Sequence, residues 1–155
     1  MTFFNNKYYV FLISAGRTGT KFFGQSLKNI IENSYSVHEP DVLTFDKNYI
    51  RFYNKLKNFG FYHMVLGRIF GITGIRNLSQ RYLAQKSSLR DLETAIIKHR
   101  NEFYKQISQN LIIESYSGWY GCIPAIQNLY QNYKIIIITR DPRDWIVSNM
   151  NWGTL

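Results

Sequence analysis

At 155 residues, with 45% hydrophobic and 17% aromatic side chains, the chain suits one domain with a real core and is too short for two. Its 19% charged content and three prolines exclude the composition that keeps a segment disordered. The net charge of +9 is uneven: residues 47–100 hold eleven Lys or Arg against Asp91 and Glu93, and the remainder carries eight of each sign, a field suited to an anionic partner.

Tyr8 to Ile13 is a short apolar run with β-branched and aromatic members, as expected of a strand buried on both faces of a parallel sheet. Ser14 to Gly19 follows as a turn. From Thr20, apolar Phe22, Phe23, Leu27, Ile30 and Ile31 recur at helical spacing, predicting a helix to about Asn33. "YSVHEP" is a second short strand ending at Pro40, since proline disfavours a helical conformation in the residue before it.

Residues 45–109 look mainly helical, interrupted around Gly67, Gly71 and Gly74, with the clearest amphipathic pattern in "LRDLETAIIKHRNEFYKQI". They form a helical, basic insertion. "NLIIES" then predicts a strand, Ile123–Tyr130 a helix with Pro124 in its first turn, and "YKIIIITR" an interior strand. "DPRDWIVSNMN" opens the last helix with Pro142 where a missing amide hydrogen costs little. The expected fold is therefore α/β, a single three-layer domain with a P-loop-like parallel sheet flanked by helices. Ligands in such sheets bind at the carboxyl ends of the strands, where Ser14–Lys21 and Arg140–Ser148 fall.

Cys122, the only cysteine, excludes an internal disulfide and is expected as a buried thiol. His38, His63 and His99 lie far apart in sequence without a second ligand at metal spacing, so no metal site is expected. "YYVFLISAG" is short for the apolar part of a signal peptide and leads straight into the turn, and no uncharged run reaches the ~20 residues that span a bilayer. A soluble chain is expected, cytoplasmic in preference to secreted.

"SAGRTGTKFFGQSL" looks like a nucleotide-binding loop yet breaks its rule. Gly16 is followed by Gly19 only three positions on, Thr20 stands before Lys21, and Phe22 occupies the place of the hydroxyl that holds magnesium. Glycine and a helix N-terminus still make a cradle for an anion. With "TRDPRDWIVS" near the other end, the chain resembles the sulfotransferases that use 3′-phosphoadenosine 5′-phosphosulfate (PAPS). Their first signature, a basic residue, a small residue, Gly and then Thr or Ser before an aromatic-led helix, matches "GRTGTKFFGQSL". Their second, a strand ending in Arg with Ser eight residues on, matches Arg140 and Ser148. "HEP" and "RDPRD" are similar to the carbohydrate sulfotransferase branch.

The resemblance implies that Arg17, Thr18, Gly19, Thr20 and Lys21 hold the 5′-phosphosulfate, with Arg17 and Lys21 also acting in catalysis, and that Arg140 and Ser148 hold the 3′-phosphate. It implies PAPS as sulfuryl donor, no metal, and a hydroxyl-bearing acceptor, expected to be a glycan. Family members usually continue beyond the 3′-phosphate helix, so the chain is expected to be the N-terminal portion of that fold. The acceptor's proton needs a base. The resemblance implies a Glu or a His in that role, and the candidates are the adjacent His38 and Glu39; Glu39 is preferred, because it matches the Glu of the family's Glu-Pro pair and alternation along an extended segment directs His38 the other way. Glu114 and Ser115, ending the third strand, are further pocket candidates. Two other readings stay open: a P-loop nucleotide kinase-like enzyme, and a non-enzymatic basic module for polyanions. Segment 47–100 suits an anionic surface, and no specific nucleic acid is expected.

Overall fold

The computed structural model describes residues 3–42 and 49–151. Four strands, β1 (Tyr8–Ser14), β2 (Ser34–His38), β3 (Leu111–Ser115) and β4 (Tyr133–Ile138), form one sheet in the order β2-β3-β1-β4, and every pairing is parallel. Their registers set His38 beside Ser115, Ser115 beside Leu12, and Ser14 beside Ile138, so all four carboxyl ends share one edge. The chain leaves β1 for one side of it and returns from β3 to place β4 on the other. A crevice at the carboxyl edge beside β1 follows from that reversal.

Alternation assigns the two faces of the sheet. Tyr9, Phe11 and Ile13 of β1 enter the main core with Ile112, Tyr104, Trp119, Ile126 and Tyr130. The opposite face receives α1 (Thr20–Ser26), where the Ser36 hydroxyl donates to the Phe23 carbonyl at 3.1 Å. Helices on both faces of a parallel sheet are the expected three layers. After β3, a 3-10 segment (Ser117–Cys122) leads into α6 (Ile123–Leu129), with Pro124 in the first turn, and β4 is followed by α7 (Pro142–Met150). Cys122 is buried, which pushes its thiol up to about 12.

Two expectations are corrected. The first helix ends at Ser26 and tightens into a 3-10 turn over Leu27–Asn29, short of Asn33, and Phe22, Ile30 and Ile31 are exposed. What α1 buries is Gly24, whose Cα lies so close to β2 that an added Cβ would stand 2.6 Å from the His38 Cβ. The backbone approach sets this packing, and the large side chains on the helix do not. β4, expected inside the sheet, pairs only with β1 among the described strands, and its Ile136 and Ile137 face outward. Consecutive strand residues point to opposite faces, so β4 is open on both, and its apolar run does not mark an interior strand.

The middle segment is helical where described: α2 (Tyr49–Phe59), a π-helical turn (Tyr62–Leu66) running into the short α3 (Gly67–Ile69), α4 (Ile75–Leu83) and α5 (Leu89–Lys105). Residues 45–48 of the expected insertion lie outside the described residues. The breaks fall at Gly60, Gly71 and Gly74, all at positive φ, whereas Gly67 lies within a helix, at a close approach where a Cβ would meet the Thr73 side chain. Ser88 and Asp91 form a reciprocal capping box that starts α5.

A buried ionic network pins this segment to the sheet. Arg100 of α5 is wholly buried, with Nε 3.0 Å from Glu114 Oε1 and Nη1 3.4 Å from Asp41 Oδ2. Glu114 also accepts from Tyr104 Oη at 2.6 Å and from Trp119 Nε1 at 3.1 Å, and Asp41 accepts from the Ile75 amide at 3.1 Å. Burial works against the charge on Arg100, but Glu114 and Asp41 more than offset it and its pKa is raised. Burial likewise acts to raise Asp41, yet Arg100 and His63 carry it well below the usual carboxylate range. His63 and His99, distant in sequence, meet with ring centroids 3.9 Å apart beside this network.

Candidate active site

The turn after β1 is shaped by two left-handed residues, Arg17 at φ 68 and Gly19 at φ 86, the latter capping α1. Glycine takes that conformation without cost and arginine does not, so the loop stores strain at Arg17. The Thr18 hydroxyl lies 2.5 Å from Ser14 Oγ and donates to the Ala15 carbonyl at 2.7 Å, closing the turn on itself. Thr20 is buried at the start of α1, its carbonyl accepting from Ser115 Oγ at 2.8 Å, while Lys21 is exposed on the first helical turn.

The last strand and helix clasp this loop. Arg140 Nη1 donates to the Arg17 carbonyl at 2.9 Å, Trp145 Nε1 donates to the Gly16 carbonyl at 2.7 Å, and Arg17 Nε donates to Ser148 Oγ at 3.3 Å. Arg17, Arg140 and Ser148, named from motifs more than a hundred positions apart, thus meet at one corner of the sheet. No sequence motif marks Trp145 as part of it, since an indole early in a helix is as readily a packing residue. Asp141, next to Arg140 in the chain, caps α7 and holds Arg143 Nη2 at 2.8 Å. A cleft of about 680 Å³ opens beside the clasp, with Ser14, Thr18 and Arg140 on its polar side and Ile123, Ile137 and Trp145 on its apolar side.

His38 and Glu39 stand at the end of β2, two strands from the loop, about 10 Å at an inter-strand spacing of ~4.8 Å. The expected opposition of their side chains is corrected. Glu39 has φ 46, which breaks the alternation and brings its Oε2 to 3.9 Å from His38 Nε2. Nδ1 of His38 lies 2.9 Å from the Ser115 carbonyl. A carbonyl only accepts, so Nδ1 carries a proton, and Nε2 is the ring nitrogen that faces Glu39. The other carboxylate oxygen, Oε1, faces Arg76 Nη2 at 3.3 Å, and the same guanidinium lies 3.4 Å from Ser117 Oγ.

Arg76 comes from the middle segment, where no motif marks it. Glu114 and Ser115 are removed from the list of pocket residues: both are buried, Glu114 holding Arg100 and Ser115 supporting the start of α1. Their parity on β3 explains this, as each points into one packed face of the sheet.

The sulfotransferase domain family matches residues 8–154 of the chain, including the middle segment. The chain belongs to the sulfotransferase family, and its four-stranded parallel sheet with flanking helices is the P-loop-like fold of that class. No curated protein and no solved structure matches it. The family implies sulfuryl transfer to a hydroxyl-bearing acceptor. Among the described residues no helix is long and apolar enough to cross a membrane.

Proposed function

We propose that the protein transfers a sulfuryl group from PAPS to a hydroxyl of a carbohydrate or similar acceptor. The observation that carries this reading is the convergence of Arg17, Arg140 and Ser148 on one corner of the carboxyl edge. Two guanidiniums gather there, while the carboxylate of Asp141, next to Arg140 in the chain, faces Arg143. Such a corner fits a ligand with two separated anionic groups. PAPS, when bound, supplies the sulfuryl group and a 3′-phosphorylated leaving nucleotide.

Arg17 and Lys21, with the backbone of Thr18, Gly19 and Thr20, hold the 5′-phosphosulfate and oppose the charge that develops on the transferred group. The Thr18 hydroxyl is committed to the turn, so its contribution is the amide. Arg140 and Ser148 hold the 3′-phosphate. A sulfuryl group carries less negative charge than a phosphoryl group, which suits arginine and lysine as charge partners.

At the acceptor end, His38 and Glu39 work as a pair. His38 Nε2 takes the hydroxyl proton, because the Ser115 carbonyl fixes its tautomer, and Glu39, held by Arg76, stabilises the imidazolium. This assigns the proton to the neighbour of the residue preferred on sequence grounds. The test is incubation with sulfur-labelled PAPS and a panel of neutral and acidic glycans. Label transferred to a glycan hydroxyl supports the reading; label on none of them, from protein that binds the nucleotide, removes the carbohydrate acceptor.

A further inference from the structure

The helical stretch from Phe61 to Phe70 turns its apolar side outward. His63, Met64 and Gly67 are buried, while Phe61, Tyr62, Leu66, Ile69, Phe70 and the following Ile72 are 41 to 73% exposed. Positions 62, 66, 69 and 70 recur at helical spacing, so these side chains form one face, and nothing among the described residues covers it. Scattered exposed apolar residues are ordinary, but four sharing one helical face, with exposed Phe61 and Ile72 at the two ends of the stretch, mark a contact surface.

Charge identifies what the face meets. From residue 47 to residue 90 the chain carries nine Lys or Arg and no Asp or Glu. Lys57, before the face, is exposed, while Arg76, after it, pairs with Glu39. A second copy of the chain would bring two such acid-free segments together, against their mutual repulsion. An apolar helical face flanked by cations is the pattern that lies in the interface of an anionic bilayer, with aliphatic and aromatic side chains among the acyl chains and cations at the headgroups.

We infer that residues 61–72 dock the protein on an anionic membrane surface. This rests on the exposed face and its charge, not on the sulfuryl-transfer reading. Arg68 on the same stretch donates to the Asp41 carbonyl, two residues beyond Glu39, so the docked face is tied to the acceptor end of the site.

The experiment is co-sedimentation of the intact chain with phosphatidylcholine vesicles, with and without phosphatidylserine, at low and physiological salt. Binding to the phosphatidylserine vesicles is expected, weakened by salt, and roughly tenfold or more weaker in the double variant Ile69→Glu, Phe70→Glu. Both side chains are largely exposed, so an unchanged thermal transition is expected. Should that variant unfold, Phe61→Ser with Ile69→Ser removes the apolar anchors without adding charge. Failure of the wild-type chain to sediment with anionic vesicles overturns the inference, as does equal binding to neutral ones. Variants that bind as the wild type does would also overturn it, by moving the contact elsewhere. Concentration-dependent dimerisation abolished by the substitutions, without vesicle binding, assigns the face to a second copy instead.

Discussion

Glu39 occupies a left-handed backbone conformation immediately before Pro40, a position where a non-glycine residue is held at a cost of about 1–3 kcal/mol. The strain aims its carboxylate at both His38 and Arg76, which an extended residue would not do. The motif showed that a carboxylate and an imidazole stand together here; it did not show their direction, because alternation fails at a positive φ. In the transfer assay, His38→Asn is expected to abolish turnover and Glu39→Gln to lower it, with both variants keeping wild-type affinity for adenosine 3′,5′-bisphosphate. Full activity in His38→Asn would return the base to Glu39.

At the scale of elements, α1 sits on β2 through Gly24, and this contact positions both the loop before the helix and His38 beneath it. Gly24→Ala is expected to destabilise the protein by about 1–3 kcal/mol, measured by urea unfolding, because the intruding methyl meets backbone and Cβ atoms that cannot rotate away. A neutral or stabilising result would show that α1 moves freely on the sheet. The apolar positions of the expected longer helix misled for the same reason: Phe22, and Ile30 beyond the end of α1, have helical spacing but no wall to pack on. The strands were legible almost to the residue, since β1 and β3 each open on a short apolar run, Tyr8–Ile13 and Leu111–Ile113, that ends in small or polar residues. The edge position of β4 was not, because a run of isoleucines reads as an interior strand whereas Ile136 and Ile137 are exposed on opposite faces.

For the whole molecule, the Asp41–Arg100–Glu114 network joins the middle helices to the sheet, and no local pattern announces it. Arg100 reads as one more cation in a basic helix, and Glu114 as a strand-end pocket residue. Arg100→Ala leaves two buried carboxylates without their cation and is expected to cost about 3–5 kcal/mol by chemical denaturation. A loss within experimental error of zero would show that water reaches the network. Acid should act on the same region. Burial, His63 and Arg100 lower the His99 pKa to about 3 from an ordinary 6.5, so its neutral form is favoured in the folded state. The stability this provides is present above pH 6.5 and is lost as the pH falls from there towards 3. Thermal scans should show a falling midpoint across that window and a shallower fall in His99→Gln; identical slopes would remove His99 as a cause.

The most direct test of the central claim is a calorimetric titration of the chain with adenosine 3′,5′-bisphosphate beside AMP. Binding that depends on the 3′-phosphate, and that weakens by about 1.5–3 kcal/mol in Arg140→Ala while AMP binding barely changes, is the expected result. Equal binding of the two nucleotides, or an equal loss of both in the variant, would contradict the assignment of Arg140 and Ser148 to the 3′-phosphate.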